Sequence, residues 1–147
     1  MITEKQKGTF RPELYEMLTE IDKAEGKAKQ IETIKKYSNY MCFLDWLRCV
    51  FDDRIQFILP EGKPPYTPCS PGAHPTSWHK EHLLLKLFVK GVGENAMSQL
   101  KREMKFIDIL ETIHPEDAVH VCDAMDKRHK TTLTKELVEE ALPNLVS

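Results

Sequence analysis

Apolar side chains three and four residues apart open the chain: Phe10, Leu14, Met17, Leu18 and Ile21, with Pro12 where a first helical turn tolerates it. The spacing predicts a helix over about Pro12–Ala24. Gly26 interrupts, and Ala28, Ile31, Ile34 and Tyr37 then trace a weaker stripe among lysines and glutamates, the mark of a short, mostly solvated second helix. Tyr40–Phe51 carries Phe43, Leu44, Leu47, Val50 and Phe51, an apolar face broad enough for the interior, with Asp45 and Arg48 pointing out. The run Asp52–Leu59 fits either a short aspartate-capped helix or an extended approach to Pro60.

Further along, a hydroxyl at Thr76 or Ser77 can cap a helix reaching Lys90, whose apolar face is Trp78, Leu84, Leu85, Leu87 and Phe88 and whose left-handed stop is Gly91. Asn95 is placed to cap a long helix to Ile113, in which Met97, Leu100, Met104, Ile107, Leu110 and Ile113 form the clearest stripe of the sequence. His114-Pro115 ends it and starts another, with Glu116 and Asp117 beside the positive helix end and Ala118, Val121, Cys122 and Met125 facing inward. Thr134 caps a last helix, Leu133 and Val138 form a hydrophobic staple around the cap, and Pro143 stops it. No stretch sustains a two-residue alternation, and no internal repeat is visible. The expectation is an all-α single domain over 1–147, a bundle of six or seven helices with Tyr40–Phe51, Ser77–Lys90 and Asn95–Ile113 at its core.

One segment breaks the helical pattern. Six of the nine prolines and two of the six glycines fall between Pro60 and Pro75, which removes backbone donors and forbids helix interiors. A proline-rich loop over 59–76, ordered and crossing the bundle, is expected; loops of this length inside a small domain are commonly binding elements. Tyr66 and Trp78 at its ends are placed to pin it to the core. Pro65, Pro68 and Pro71 also stand three apart, the polyproline II repeat, although rigid packing of Pro64, Pro65 and Tyr66 is the simpler account.

Composition narrows the class. At 147 residues, 41% hydrophobic and 30% charged, with a formal charge of -2, the chain is neither a disordered tail nor a uniformly basic nucleic-acid coat. No apolar run is long enough to span a membrane, and Met1–Lys7 lacks the apolar stretch of a signal peptide, so a product that stays in the cytoplasm is expected. The four cysteines, Cys42, Cys49, Cys69 and Cys122, read as reduced thiols, three of them small buried hydrophobes on helices.

Candidate chemistry is sparse. Cys69, His74, His79 and His82 lie within fourteen residues, but without a second cysteine near the first they match no standard zinc finger, and neither metal nor cofactor is expected. No cysteine or serine has a nucleophile-elbow surround. Gly91-Val92-Gly93 has no following Lys-Ser or Lys-Thr, so it is no phosphate loop. The paired carboxylates Asp52-Asp53, Glu116-Asp117 and Glu139-Glu140 read as caps or solvated faces. Charge is uneven: Lys80 to Lys105 holds six basic residues against three acidic, and Asp108 to Glu140 nine acidic against four basic. Lys86, Lys90, Lys101, Arg102 and Lys105 would share a surface if their helices packed antiparallel, a modest patch for phosphates.

The blocks Arg11–Leu18, Phe51–Ile55, Leu59-Pro60-Glu61-Gly62-Lys63-Pro64-Pro65-Tyr66, His114–Ala118 and Leu133–Ala141 resemble a family of small proteins of T-even-like tailed bacteriophages, including cyanophages. The Leu-Pro-Glu-Gly to Pro-Pro-Tyr element is the most specific part of the likeness. The resemblance implies a phage product made in an infected bacterium and attaches no enzyme class to it. Together with the absence of a catalytic set, it leads to the expectation of a non-enzymatic accessory protein that engages a host or phage protein through the Leu59–Trp78 loop and an adjoining helix face. Arg54, Tyr66 and Trp78 are its expected anchors, because aromatic and arginine side chains dominate interface energetics. The alternatives are a nucleic-acid-binding factor using Lys86 to Lys105 and a head or tail component of the virion.

Overall fold

In a computed structural model of the chain, residues 11–147 are described, so Phe10 and the opening Met1–Lys7 lie outside the described residues. Leu14, Met17, Leu18 and Ile21 bury one side of α1 (Leu14–Lys23), and Glu13 begins it: its amide donates to Glu16 Oε1 at 2.9 Å. Gly26, at φ +87, turns the chain into α2 (Lys27–Lys36), which buries Ile34 alone and is solvated elsewhere, as its weak stripe predicts. In α3 (Met41–Phe51) seven of eleven residues are buried, with Phe43, Trp46 and Leu47 fully so. Each such side chain contributes about 1.5–3 kcal/mol through the surface it removes from water.

Two other expected core helices differ from their sequence pattern. The single helix Ser77–Lys90 is instead a short α4 (Trp78–Glu81) running into a 3-10 helix, His82–Phe88. His82, Leu85 and Phe88 stand three apart, the repeat of a 3-10 turn, and the chain then straightens because Val89 pairs antiparallel with Phe57, Ile58 N donating to Phe88 O and Lys90 N to Gln56 O, both at 2.8 Å. Asp52–Leu59 is accordingly not helical: Ile55 N donates to Asp52 O at 3.2 Å in a turn, and the chain then runs to its bridge at Phe57. The long helix starts at Gln99, not after Asn95: α5 is Gln99–Thr112, and Ser98 caps it, Oγ accepting from Lys101 N at 3.3 Å. Residues 91–97 are diverted into a turn, described below.

The C-terminal part follows its local signals. His114 caps α6 (Pro115–Met125) by accepting from Glu116 N at 3.1 Å, and Thr134 caps α7 (Lys135–Ala141) by accepting from Leu137 N at 3.2 Å. Leu133 and Val138 are both buried around that cap. The described residues thus hold seven α-helices and one 3-10 helix with no strand, an all-α bundle around one hydrophobic core. Trp46 Nε1 donates to His120 O at 2.9 Å and Trp78 Nε1 to Cys42 O at 3.0 Å, tying α6 and α4 to α3.

Candidate functional site

α5 carries apolar side chains on two opposite faces. Phe106, Ile109 and Leu110 are buried in the core, with Ile113 beyond the helix end. Leu100 and Met104, which the sequence places on the core stripe, are 68% and 60% exposed, and Ile107 continues their line. A 3.6-residue repeat separates the two sets: residues 100, 104 and 107 share one side, while 102, 106 and 109 share the other. The most conspicuous stripe of the sequence is therefore partly a surface stripe.

The proline loop runs beside that stripe and is fastened to the C-terminal ends of α5 and α6 by three backbone amides and one thiol. Gly62 N donates to Asp126 Oδ2 at 3.1 Å, Thr67 N to Glu111 Oε2 at 2.7 Å, Cys69 Sγ to Ile113 O at 3.0 Å and Thr76 N to Thr112 O at 3.1 Å. Gly62 takes φ +91, a turn that side chains other than glycine's rarely follow. Between loop and helix lies a pocket of about 220 Å³, floored by Phe106, Ile107 and Met125 and walled by Leu59, Pro64 and Pro65. Glu61, Lys63 and Glu103 edge it. Among the lining residues two carboxylates, Glu61 and Glu103, stand against the one cation, Lys63. Chemically, the arrangement offers an apolar cleft, an exposed apolar approach and a negative rim.

The three anchors expected from sequence lie elsewhere. Trp78 is 1% exposed and its indole nitrogen is committed to Cys42 O, so it pins the loop's end to the core and is no contact residue. Tyr66 is half-buried; burial, then Cys122 and Asp123 nearby, push its phenol upward, and Lys63 Nζ sits 5.3 Å from its ring. Arg54 grips the buried Asp52 through Nε and Nη2 at 3.0 and 2.8 Å, which holds that carboxyl below the usual range. None of the three lines the cleft. A signal for the true lining existed in the sequence: α5 has more apolar positions around its circumference than one buried face can use.

Of the basic patch, Arg102 is withdrawn. It is 4% exposed and donates to Leu87 O at 3.2 Å, to Gln99 Oε1, and to Gly93 O, Glu94 O and Met97 O at 3.1, 3.2 and 3.0 Å. The long side chain reaches back under the turn preceding its own helix, so its charge satisfies carbonyls and does not face a phosphate. Lys86, Lys90 and Lys101 are exposed, and Lys105 stands 3.9 Å from Asp108. The turn itself explains Gly91-Val92-Gly93: Gly91 takes φ +88, and a Cβ on Gly93 would lie 2.2 Å from Leu87 O.

The four metal-type side chains do not converge; each is spent separately. Cys69 donates to Ile113 O, His74 Nδ1 to Thr76 O at 2.7 Å, His79 Nε2 to Pro12 O at 2.7 Å and His82 Nδ1 to Asp45 Oδ2 at 2.6 Å. Because a carbonyl only accepts, His79 donates from Nε2 and its Nδ1 is left to accept from the Cys42 thiol at 3.5 Å. That thiol is 2% exposed, and burial pushes it up to about 12, so this cysteine–histidine contact is a poor source of thiolate. Burial likewise pushes Cys49 up to about 12.

Asp117, grouped with Glu116 in the sequence as a cap or solvated acid, has no exposed surface at all. Its oxygens accept from Leu14 N at 3.3 Å and Tyr15 N at 2.7 Å, so α6 caps the start of α1 across the bundle. Burial first, and the Glu13 carboxylate next to it, push Asp117 up to about 8, against the pull of those two amides.

A family model described as a family of unknown function, DUF6433, matches residues 17–131, well over half of the chain. The chain belongs to this family. The matched span contains the proline loop, all of α5 and α6, and every residue of the cleft. No curated protein matches the chain.

Proposed function

We propose that this DUF6433 protein is a non-enzymatic accessory protein of a phage, acting by protein–protein interaction in the cytoplasm of an infected bacterium. The cleft beneath the proline loop receives an apolar, basic segment of a host or phage protein. One observation carries the reading: Leu100 and Met104 stand exposed in line with Ile107, which forms the cleft floor, and the surrounding charge is mainly acidic. Contiguous exposed apolar surface rimmed by polar groups is what a docking site presents, and the rim selects a partner of opposite sign. The phage setting is supported by the Leu59–Tyr66 element and its companion blocks in the sequence.

A photo-reactive residue at position 104 of the tagged full chain, expressed during infection, tests this. The expected result is a single covalent adduct whose crosslinked peptide carries lysine or arginine among apolar residues, and which disappears in an Ile107→Glu background. Adduct formation indifferent to Ile107→Glu, or no adduct at all, overturns the proposal. A head or tail subunit as the crosslinked protein would place the interaction in the virion.

A further inference from the structure

α3 and the 3-10 helix flank a second pocket, of about 270 Å³, that shares no lining residue with the cleft and differs from it in character. His82 lines it and is 6% exposed. Its Nδ1 donates to Asp45, since a carboxylate only accepts, which leaves Nε2 for whatever enters. Among the described residues Nε2 has no hydrogen-bond partner, and it is not sealed from solvent. Arg48 also lines the pocket: Nη1 donates to Asp45 Oδ1 at 2.9 Å, and its remaining guanidinium nitrogens are uncommitted among the described residues. Lys86 stands at the edge with no carboxylate within salt-bridge distance among the described residues. Ile55, Leu85 and Val89 supply an apolar wall.

Two permanent cations therefore face this pocket against the single acid that orients the histidine. We propose that it is a binding site for a small organic phosphate monoester. Each part of such a ligand meets a group suited to it: the anionic oxygens meet Arg48 and Lys86, the hydroxyl of a singly protonated phosphate donates to Nε2, and the organic part lies on the Ile55–Val89 wall. A sulfate monoester has the oxygens but no proton to donate near neutral pH. Inorganic phosphate has the head but no apolar body.

Phenyl phosphate, phenyl sulfate and inorganic phosphate, titrated into the full chain at matched ionic strength while the His82 ring protons are followed by NMR, separate these contributions. The expected result is a saturable shift with phenyl phosphate, at least tenfold tighter than with either other probe. Arg48→Gln and Lys86→Gln each weaken phenyl phosphate about tenfold, and the exposed Lys86 makes the second variant safe for folding. No saturable shift, equal affinity for phenyl sulfate, or affinities unchanged in both variants overturns the site. The outcome is independent of the cleft, so it stands or falls apart from the docking proposal.

Discussion

Two buried ionisable side chains hold this fold from beneath, one a base and one an acid. Arg102, in α5, collects backbone carbonyls from the turn that precedes its own helix, while Asp117, in α6, collects the first amides of α1. The difference lies in what each can do about its charge. A guanidinium cannot shed its proton, so the structure surrounds Arg102 with five acceptors. A carboxylate can take one up, and Asp117, given only two amides and placed beside Glu13, is driven toward the neutral acid. The first region holds its charge with every acceptor in place; the second makes stability depend on pH.

The sharpest way to break the comparison is Arg102→Ala, which strands the carbonyls of Gly93 and Met97. It should cost about 3 kcal/mol of unfolding free energy, seen as a lowered denaturant midpoint. Gly93→Ala attacks the same turn through sterics, since the new methyl would press on the Leu87 carbonyl. A loss of about 2 kcal/mol is expected by the same measurement.

For Asp117 the test is a slope, not a level. The folded chain retains a proton that the unfolded chain, with its carboxyl near 3.8, releases, so the stabilisation is complete below that value and is lost as pH rises toward about 8. Thermal midpoints of the wild type should therefore fall between pH 5 and pH 8, and Asp117→Asn should flatten this part of the curve. An unchanged slope would mean that Asp117 is ionised in the folded state.

These two residues also show where sequence reading reaches its limit. Thr134, Pro115 and the Leu133–Val138 staple act on neighbours a few positions away, and their caps form where the pattern places them. Asp117 acts on Tyr15, 102 positions distant, and Arg102 folds back against its own helix, so both read as surface charges until the packing is known. The same blindness affected the stripes of α5: periodicity finds apolar faces without saying which one the core will cover. Trp78 and Met104 changed places for that reason, the expected anchor entering the core and an expected core residue remaining outside. The loop was legible because proline and glycine act on their own backbone. The cleft beneath it was not, because it exists only between segments some forty positions apart.

The smallest expected effect on stability belongs to the exposed face, and it is there that the account is most directly tested. Met104→Asp should leave the unfolding free energy within about 0.5 kcal/mol of wild type, while, on the proposed docking role, the tagged mutant protein fails to capture a partner that wild type captures. A midpoint lowered as far as that of Arg102→Ala would make residue 104 part of the core. Undiminished capture by a stable Met104→Asp protein would contradict the docking surface itself.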